Sequence, residues 1–442
     1  MAEIYLPRFY TPRPYQLDIF NAYFKQGKKR FVNVWHRRAG KDQTWIHLAI
    51  IAAQMKVGTY LHTLPTIAQA KKVVWRNIDE QGHTLFDYIP KQLLAGTPNS
   101  TELFVKFKNG SILQFAGADN FDSLRGTNPV HITFSEYSFQ HPMAWDILNP
   151  ILVRNKGTAA FIFTPNGQNH AHTLYTNNID NEEYHISNLT VDDTRDNAGN
   201  YVVSPDDIQK MRDAGSSEEF IQREFYCSFN AFQGGNYFAA EYNDALTEGR
   251  ILDFSIDVSY PVNTYWDIGL DTTAIWLIQS TPQGYKAIAY YEYNNVPYSH
   301  YVNWLEDFRK THKIVYSRHY APHDAMHREK FSGESYMERA ARLGINYEYV
   351  PRVTHKIDAI EATRSVFNQV TFHKTLCKHG LLALQSYHAE YNERLKVFSR
   401  DPCHDWASHG SDSFMQFAQS YKTESITNRV LHNRVNTKSL YR

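Results

Sequence analysis

The stretch Trp35-His36-Arg37-Arg38-Ala39-Gly40-Lys41-Asp42 lies between an apolar run typical of a β-strand, 31–35, and a helical pattern over 44–53. At such a junction, backbone N–H groups and the helix N-terminus can surround a phosphate group. Gly40 and Lys41 fit the end of the pattern G-x-x-x-x-G-K-[ST], which predicts that Lys41 reaches the β- and γ-phosphates of a nucleotide. Trp35 replaces the first glycine of that pattern, and Asp42 replaces its hydroxyl residue.

A second stretch, His131-Ile132-Thr133-Phe134-Ser135-Glu136, ends an apolar strand with a carboxylate. Active residues of α/β sheets concentrate at the carboxyl ends of the strands. Glu136 is therefore predicted to orient and activate the water that attacks the γ-phosphate. An acid that holds Mg²⁺ is expected just before it, but that position is Ser135.

Asp42 and Ser135 thus exchange the residue types expected at their two positions. In a phosphate-loop site both positions converge on one Mg²⁺, so the exchange preserves one carboxylate and one hydroxyl near the metal. We expect Asp42 to supply the charge and Ser135 the neutral contact, directly or through water. The alternative is that metal binding is weakened and ATP hydrolysis is poor.

The first half of the chain alternates short apolar runs with longer helical patterns, which predicts a mainly parallel α/β sheet. Asn109-Gly110 between two runs indicates a hairpin, and a polar stretch rich in Asp and Asn follows the last strand at 177–200. The predicted strands of this half are 31–35, 59–63, 104–107, 112–115, 131–134 and 159–163.

A second α/β unit is predicted after an irregular region. Its strands at 264–269, 274–278 and 287–293 precede a helix at 298–310 and a strand over 317–324. Helices are expected at 355–370, 376–392 and 411–421. The resulting domain prediction is 1–230, a linker at 231–262, a second domain at 263–424 and a basic tail at 425–442.

Three acids of the second half suit metal-assisted phosphodiester cleavage, which uses divalent ions about 4 Å apart between carboxylates on rigid elements. Asp267 lies in an otherwise apolar strand, where an unpaired charge is costly. Asp324 ends a later strand, and Asp412 begins the last helix. Asp401 or Asp405 remains an alternative to Asp412, and His404 and His409 are further candidates to face the metals. Asp271 is interpreted as a turn residue or a supporting residue.

Composition limits the function classes. The 442 residues allow two or three domains. Lys+Arg and Asp+Glu both number 46, so the bulk charge does not attract nucleic acid and any such contact needs local patches. Three distant cysteines argue against a disulfide framework and a zinc ribbon. No signal-peptide pattern and no run of about 18 apolar residues occurs, so we expect a soluble cytoplasmic protein.

Four further motifs complete an ordered set. The segment 11–16 resembles the adenine-contacting Gln motif of helicase-like ATPases, and 64–70 resembles their second motif. Asp122-Ser123-Leu124-Arg125-Gly126-Thr127 precedes Glu136, and Thr164-Pro165-Asn166-Gly167 follows the next strand. Over nearly the whole chain, this order resembles the large terminase subunit of tailed bacteriophages. That family joins an additional-strand P-loop ATPase to an RNase H-like nuclease.

The resemblance implies roles for individual residues. Gln16 would contact adenine, and Arg38, Gly40 and Lys41 the phosphates of ATP, with Mg²⁺ as the accompanying ion. Residues 164–167 would couple hydrolysis to movement. Arg125 matches an arginine finger that acts across subunits, with a structural salt bridge as the alternative. By the same resemblance, Glu136 is the ATPase carboxylate, and the nuclease metals, Mg²⁺ or Mn²⁺, are held by Asp267, Asp324 and Asp412.

The resemblance also implies an assembly that packages DNA in the host cytoplasm. Its partners would be double-stranded DNA, the small terminase subunit, the portal protein of the procapsid and further copies of the chain in a ring, with no membrane. Other interpretations are a helicase-like or recombination ATPase with a nuclease, and a non-catalytic protein that docks to a capsid vertex. Candidate DNA-contacting residues are 25–30, Lys71, Lys72 and Arg76, for which ordinary surface is an equal alternative. His355, Lys356 and Arg364 are further candidates on one helix, where a solvated helical face is the favoured interpretation.

Overall fold

The computed structural model describes residues 6, 8–229, 235–269, 272–326, 335–350, 353, 355–392 and 397–420. The chain divides into two compact units, Met1–Gln233 and Gly234–Arg442. The predicted basic tail, 425–442, lies outside the described residues. None of the helices in the described ranges is both long enough and apolar enough to cross a bilayer.

The first unit is built on a seven-stranded sheet with the order β3-β4-β2-β5-β6-β1-β7. Only β3 is antiparallel to its neighbour, β4. The strands are β1 (Arg30–Trp35), β2 (Thr59–Leu64), β3 (Phe104–Lys106), β4 (Ile112–Gly117), β5 (Pro129–Ser135), β6 (Thr158–Phe163) and β7 (Tyr184–Leu189).

The order of three central strands confirms the predicted fold class of this unit. Strand β1 leads into the phosphate loop and β5 ends next to Glu136, and β6 lies between them, paired in parallel with both. This inserted strand is the feature expected of an additional-strand ATPase. Every residue of β6 is buried, as is typical of a parallel strand covered by helices on both faces.

Helices and short turns connect these strands. The helices are α1 (Pro14–Phe24), α2 (Lys41–Met55), α3 (Ile67–Gln69), α4 (Met143–Asn155), α5 (His170–Asn178), α6 (Pro205–Asp213) and α7 (Glu218–Glu224). A π-helix covers Ala70–Trp75, and 3₁₀ turns cover Leu85–Tyr88, Lys91–Leu93, Phe121–Gly126, Tyr137–Phe139 and Val191–Asp193.

Two local predictions had different outcomes. The Asn109-Gly110 turn is confirmed, because β3 and β4 form an antiparallel pair and Gly110 has φ +94°. No strand is predicted in the polar stretch 177–200, but this stretch contains β7, which pairs with β1. Strand β7 lies at the sheet edge with half-exposed side chains, so it lacks the apolar run by which strands are recognised.

The second unit contains another seven-stranded sheet, with the order β13-β12-β9-β10-β11-β14-β8. Strands β9, β10 and β11 are successively antiparallel, and β12 and β13 continue the sheet in parallel on the other side of β9. This arrangement confirms the predicted RNase H-like class. The strands are β8 (Ile251–Leu252), β9 (Val262–Ile268), β10 (Thr272–Thr281), β11 (Gly284–Asn294), β12 (Tyr316–Pro322), β13 (Tyr347–Val350) and β14 (Val370–His373).

A small hairpin and six helices complete this unit. The hairpin consists of β15 (Ala389–Asn392) and β16 (Val397–Pro402). The helices are α8 (Ala239–Thr247), α9 (Tyr298–His312), α10 (Tyr336–Arg342), α11 (Lys356–Phe367), α12 (Lys378–Ser386) and α13 (406–420).

Three predicted boundaries differ from these elements. The predicted linker 231–262 contains α8 and β8, and β8 pairs with β14, so these residues are part of the second unit. The helix expected over 376–392 ends at Ser386, and the chain then forms β15. The helix expected over 355–370 ends at Phe367, before β14. Both strands are only four residues long. Such a short strand shows too little alternation of apolar and polar residues to be distinguished from the neighbouring helical pattern.

Candidate functional site

The phosphate loop turns sharply between β1 and α2. Gly40 precedes the first residue of α2 with φ +81°, and Arg38 also has a positive φ of +75°. A Cβ on Gly40 would lie 2.8 Å from Nε2 of Gln16. Both the backbone conformation and the space therefore require glycine at this position, and the N–H groups at the start of α2 face the end of the loop.

Lys41 is buried, and its ammonium group is held by oxygen atoms. Nζ donates to the carbonyl oxygen of Trp35 at 3.0 Å and to Oγ1 of Thr164 at 3.0 Å. A third contact joins Nζ to the carbonyl oxygen of His36 at 3.5 Å. These contacts hold a positive charge beneath the loop, where an anion gains strongly from it because little water screens the interaction.

Gln16 supports the loop with both ends of its side-chain amide. Nε2 donates to the carbonyl oxygen of Ala39 at 3.1 Å, and Oε1 accepts from the hydroxyl of Tyr10 at 2.8 Å and from the backbone N–H of Arg13 at 2.9 Å. The side chain is buried. The Gln16 side chain thus stabilises the loop beside Gly40. Its contact with adenine stays a prediction.

Asp42 and Ser135 are close together, as the exchange hypothesis requires. Burial raises the pKa of the Asp42 carboxyl, but hydrogen bonds and charge from His62, Ser135 and Lys41 outweigh it and lower that pKa overall. Oδ1 of Asp42 lies 3.0 Å from Nε2 of His62. Oγ of Ser135 is buried and has no hydrogen bond of standard geometry among the described residues.

Glu136 follows β5 in a left-handed conformation, with φ +53° and ψ +47°. A side chain with this backbone is uncommon outside glycine, asparagine and aspartate, and such strain concentrates at functional sites. Burial raises the pKa of its carboxyl, Asp42 and Glu224 raise it further, and Lys41 and the backbone of Thr164 lower it, with a net upward shift. A carboxylate with a raised pKa beside a phosphate loop is suited to accept a proton.

Thr164 connects the loop to this carboxylate. Its hydroxyl accepts from Lys41, its backbone hydrogen-bonds Glu136, and its carbonyl oxygen accepts from the hydroxyl of Ser138 at 2.9 Å. Thr164 opens the segment 164–167, which the sequence resemblance connects with coupling. Movement of either Lys41 or Glu136 therefore changes a hydrogen bond of Thr164, at the start of this segment.

A cavity of about 390 Å³ opens beside the loop. Lys41, Asp42 and Glu136 line it, together with the guanidinium groups of Arg37 and Arg38. Arg38 is exposed, so its charge is available to a ligand in the cavity. Further lining comes from ten residues between Val73 and Tyr88, and two of these, Val73 and Val74, belong to the π-helix Ala70–Trp75.

Arg125 lies on the 3₁₀ turn Phe121–Gly126 and forms an ion pair with Asp122, at 2.7 Å between Nε and Oδ1. Its side chain is 54% exposed, and it does not line the cavity beside Lys41. The salt bridge that was the alternative role of Arg125 is therefore present, with Asp122 as the partner. An exposed pair of this kind contributes little to stability, so the guanidinium can exchange Asp122 for another anion at low cost.

The second unit brings two of its predicted acids together. Asp267 lies near the end of β9, and Asp412 lies on α13. Burial raises the pKa of Asp412, Lys356 lowers it, and the negative charge of Asp267 raises it again, with a net upward shift. Nδ1 of His409 lies 3.2 Å from Oδ2 of Asp267. Two neighbouring carboxylates that disfavour each other's charge form a site suited to a cation.

Asp324 lies on the 3₁₀ turn His323–Met326, directly after β12. Strands β12 and β9 are parallel neighbours, so the backbone of Asp324 lies at the same sheet edge as Asp267. Its side chain and the whole of Asp271 lie outside what the structure describes. Asp401 is exposed, and Asp405 is grouped with His388 and Cys403, so Asp412 is the acid of the last helix that accompanies Asp267.

The predicted DNA contacts of α11 are not supported. Lys356 pairs with Asp412, at 2.7 Å between Nζ and Oδ1. Arg364 donates to the carbonyl oxygen of Tyr237 and pairs with Glu361, so it serves the fold of the unit. In the first unit, Lys28 donates to the carbonyl oxygen of Glu182, while Lys72 and Arg76 are exposed.

Two residues of these sites were missed by sequence reasoning. His62 lies inside β2, where its alternation with apolar residues resembles ordinary strand patterning. Lys356 opens α11, and its assignment as a surface residue followed from helix patterning alone. No local motif identifies either residue. His62 contacts Asp42 and Lys356 contacts Asp412 only because elements that are distant in sequence pack together.

Comparison with known proteins gave one family match. The family described as "Terminase large subunit, T4likevirus-type, N-terminal" matches residues 49–242. None of the curated proteins compared with the chain matches it significantly.

Solved structures of phage terminases are also similar. The large terminase of a thermophilic bacteriophage has a TM-score of 0.41 and 14% identity, covering 92% of this chain and 99% of that chain. The large terminase of bacteriophage HK97 has a TM-score of 0.40 and 10% identity, covering 93% and 95%. The ATPase domain of the Thermus phage P74-26 large terminase has a TM-score of 0.39 and 16% identity, covering 51% and 100%.

TM-scores this low add nothing to the assignment, which therefore rests on the family match. That match contains His62, Asp42's partner, and also Ser135, Glu136 and Thr164, and it continues into the first residues of the second unit. It agrees with the resemblance seen in the motifs: residues 49–242 are similar to the N-terminal part of the terminase large subunit family.

Proposed function

We propose that the chain is a large terminase subunit that moves double-stranded viral DNA into a procapsid by hydrolysing ATP and cuts concatemeric DNA with a metal-dependent endonuclease. The observation that carries the proposal is that Lys41 and Glu136 line one cavity and both contact Thr164. Glu136 and Thr164 also lie within the residues that match this family. The RNase H-like second unit, with Asp267 beside Asp412, supports the nuclease part.

In the ATPase unit, the loop binds the phosphates of ATP. Lys41 reaches the β- and γ-phosphates when its contacts with Trp35 and Thr164 are exchanged for phosphate oxygens. Arg38 adds a guanidinium at the cavity, and the N-terminus of α2 adds its N–H groups. Gly40 keeps the backbone close to the ligand. Gln16 holds the loop through its hydrogen bond to the carbonyl oxygen of Ala39 and contacts the edge of the adenine base.

Asp42 and Ser135 are the residues that would hold Mg²⁺. They fit the ion, because a half-buried carboxylate lies beside a buried hydroxyl without a standard hydrogen bond. When bound, Mg²⁺ neutralises charge on the phosphate oxygens. His62 positions the Asp42 carboxylate from the side of β2 and keeps it ionised.

Glu136 orients the attacking water and accepts its proton. Its raised pKa brings it nearer to the working pH, which favours proton transfer. Thr164 contacts both Lys41 and Glu136, so the hydrogen bonds of residues 164–167 change when a nucleotide occupies the phosphate site. Arg125 acts on the nucleotide of a neighbouring subunit in a ring, after release of Asp122, and stabilises charge on the transferred phosphoryl group.

In the nuclease unit, Asp267, Asp324 and Asp412 hold Mg²⁺ or Mn²⁺. The pair Asp267 and Asp412 fits divalent cations, because each carboxylate disfavours the charge of the other in a half-buried site. Such ions activate water and stabilise both oxygens of an in-line displacement. Lys356 pairs with Asp412, and His409 orients Asp267.

The partners of this function are double-stranded DNA, the small terminase subunit, the portal protein and further copies of the chain, all in the host cytoplasm. A helicase-like or recombination ATPase is less well supported, because its ATPase would have two lobes and the described residues form one phosphate-loop unit. A docking protein without activity would not need the Lys41, Glu136 and Thr164 arrangement.

A triplex-displacement assay separates these functions. The Asp267→Asn variant, which does not cut, is given duplex DNA carrying a labelled third strand, with ATP and Mg²⁺. We expect ATP-dependent release of the third strand while the duplex stays paired, and no release after the further change Lys41→Ala. Separation of the duplex strands would indicate a helicase. Absence of ATP hydrolysis at every protein concentration, with procapsids present, would indicate a docking protein.

A further inference from the structure

A group of metal-binding side chains lies at the base of the β15–β16 hairpin. His388 directly precedes β15, and Cys403 directly follows β16. The backbone N–H of Cys403 donates to the carbonyl oxygen of His388 at 2.8 Å, which continues the hairpin by one further pair. Asp405 follows two residues later, at the start of α13.

The three side chains converge. One ligand atom from each of His388, Cys403 and Asp405 can be chosen so that all three lie within 4.8 Å of one another. In a tetrahedral zinc site with bonds of about 2.0–2.3 Å, ligand atoms lie about 3.5 Å apart. The group therefore needs a contraction of at most about 1.3 Å, which rotations of three half-buried side chains can supply.

Hydrogen bonds around the group suit metal ligation. Nδ1 of His388 donates to the carbonyl oxygen of Ser386 at 2.9 Å, so Nε2 carries the lone pair in the neutral ring. A carbonyl that orients the ring in this way is typical of metal-binding histidines. Oδ1 of Asp405 accepts from the backbone N–H of Ala407 at 3.0 Å, and its other oxygen has no hydrogen-bond partner in the described part of the chain.

The chemistry of the ligands distinguishes this group from the nuclease site. Thiolate and imidazole select zinc and similar transition metals, whereas Mg²⁺ prefers oxygen ligands. Asp267 and Asp412 offer oxygen atoms, but His388, Cys403 and Asp405 offer one nitrogen, one sulfur and one oxygen. We propose that His388, Cys403 and Asp405 form a second metal site, which binds Zn²⁺ and leaves a fourth position for water.

A zinc ion at this position connects the hairpin base to the start of α13. The same helix carries His409 and Asp412, so the ion restrains the helix that presents these residues to Asp267. The role is structural with respect to the nuclease and does not depend on the proposed packaging function.

Cobalt substitution tests the site on the full chain. The protein is stripped with a chelator and titrated with Co²⁺, and thiolate-to-cobalt charge-transfer absorption is recorded. We expect one equivalent to give this absorption, and a stoichiometric amount of Zn²⁺ to remove it. Cys403→Ser should abolish the absorption. The matched control is Cys227→Ser, which changes a buried cysteine of the first unit and should leave the absorption unchanged.

Two further variants complete the test. Asp267→Asn removes a nuclease ligand and should keep the charge-transfer absorption, whereas Asp405→Asn should weaken Zn²⁺ binding without removing a thiol. Circular dichroism confirms that each variant is folded. Absence of charge-transfer absorption in the wild type, or its persistence in Cys403→Ser, would overturn the proposal, as would equal Zn²⁺ affinities of the wild type and Asp405→Asn. None of these results bears on ATP hydrolysis or on DNA movement.

Discussion

Oδ1 of Asp42 lies 3.0 Å from Nε2 of His62, a hydrogen-bond contact between the first turn of α2 and the middle of β2. The imidazole is almost fully buried, whereas the carboxylate is 29% exposed. This contact lowers the pKa of a carboxyl whose burial alone would raise it. The charge expected at the Mg²⁺ position is therefore maintained by a residue that no phosphate-loop pattern contains.

The pH dependence of stability should reveal this pair. The folded-state pKa of Asp42 lies below its ordinary value of 3.8, so its ionised form stabilises the fold above that pH, and the contribution is lost as the pH falls through the folded pKa. Asp42→Asn should unfold at a lower urea concentration than the wild type at pH 7. The difference should shrink at strongly acidic pH. A difference that does not change with pH would contradict the role of the charge.

Glu136 should show the opposite sign. Its folded pKa is raised above the ordinary value of 4.5, so folding favours the protonated form, and stability is lost as the pH rises through the folded pKa. Glu136→Gln should therefore be more stable than the wild type at pH 8, with little difference below the ordinary pKa. Glu102→Gln, at an exposed acid, serves as the control. Loss of stability in Glu136→Gln at pH 8 would show that its charge supports the fold.

The exchange of residue types can be tested by reversing it. Asp42→Ser and Ser135→Asp should each reduce Mg²⁺-dependent ATP hydrolysis, because the first leaves no carboxylate near the ion and the second places two in one half-buried site. The double variant restores one carboxylate and one hydroxyl. We expect its ATPase rate to exceed that of the worse single variant. A double variant no faster than the worse single one would show that the two residues do not compensate.

Two glycines with positive φ separate backbone strain from loop geometry. Gly27→Ala introduces a Cβ at φ +69° with no atom within 4 Å, whereas Gly40→Ala introduces one at φ +81° against Gln16. The backbone cost of about 1–2 kcal/mol is common to both. Gly40→Ala should in addition displace the loop and reduce ATP hydrolysis, while Gly27→Ala should leave it intact. Equal ATPase rates in the two variants would show that the close approach of Gly40 to Gln16 is not needed for ATP hydrolysis.

The parts of the fold that carry strong apolar patterns could be predicted from sequence. The fully buried strand β6 produces a continuous apolar run over 159–163, and the run of β1 over 31–35 is interrupted only by Asn33; both strands were predicted in the correct position. Strand β7 was missed because an edge strand keeps only half-buried side chains. Strands β13 and β15 were missed because four residues give too short a period to detect.

The site was predictable where the chemistry is local. Gly40 and Lys41 adjoin in sequence, and Glu136 ends its own strand, so each could be recognised in place. His62 and Lys356 contribute through contacts across 20 residues or more, and only the packing of α2 on β2 and of α11 beside α13 brings them to Asp42 and Asp412. A sequence pattern contains no information on such contacts until the sheet order is known.

We expect the two catalytic sites of the chain to act independently of each other. ATP hydrolysis and Mn²⁺-dependent plasmid nicking are measured on Lys41→Ala and Asp267→Ala, with the wild type alongside. Lys41→Ala should lose ATP hydrolysis by about 10²-fold or more and still nick, whereas Asp267→Ala should hydrolyse ATP at the wild-type rate and no longer nick. Loss of both activities in either folded variant, or retention of both, would contradict the account.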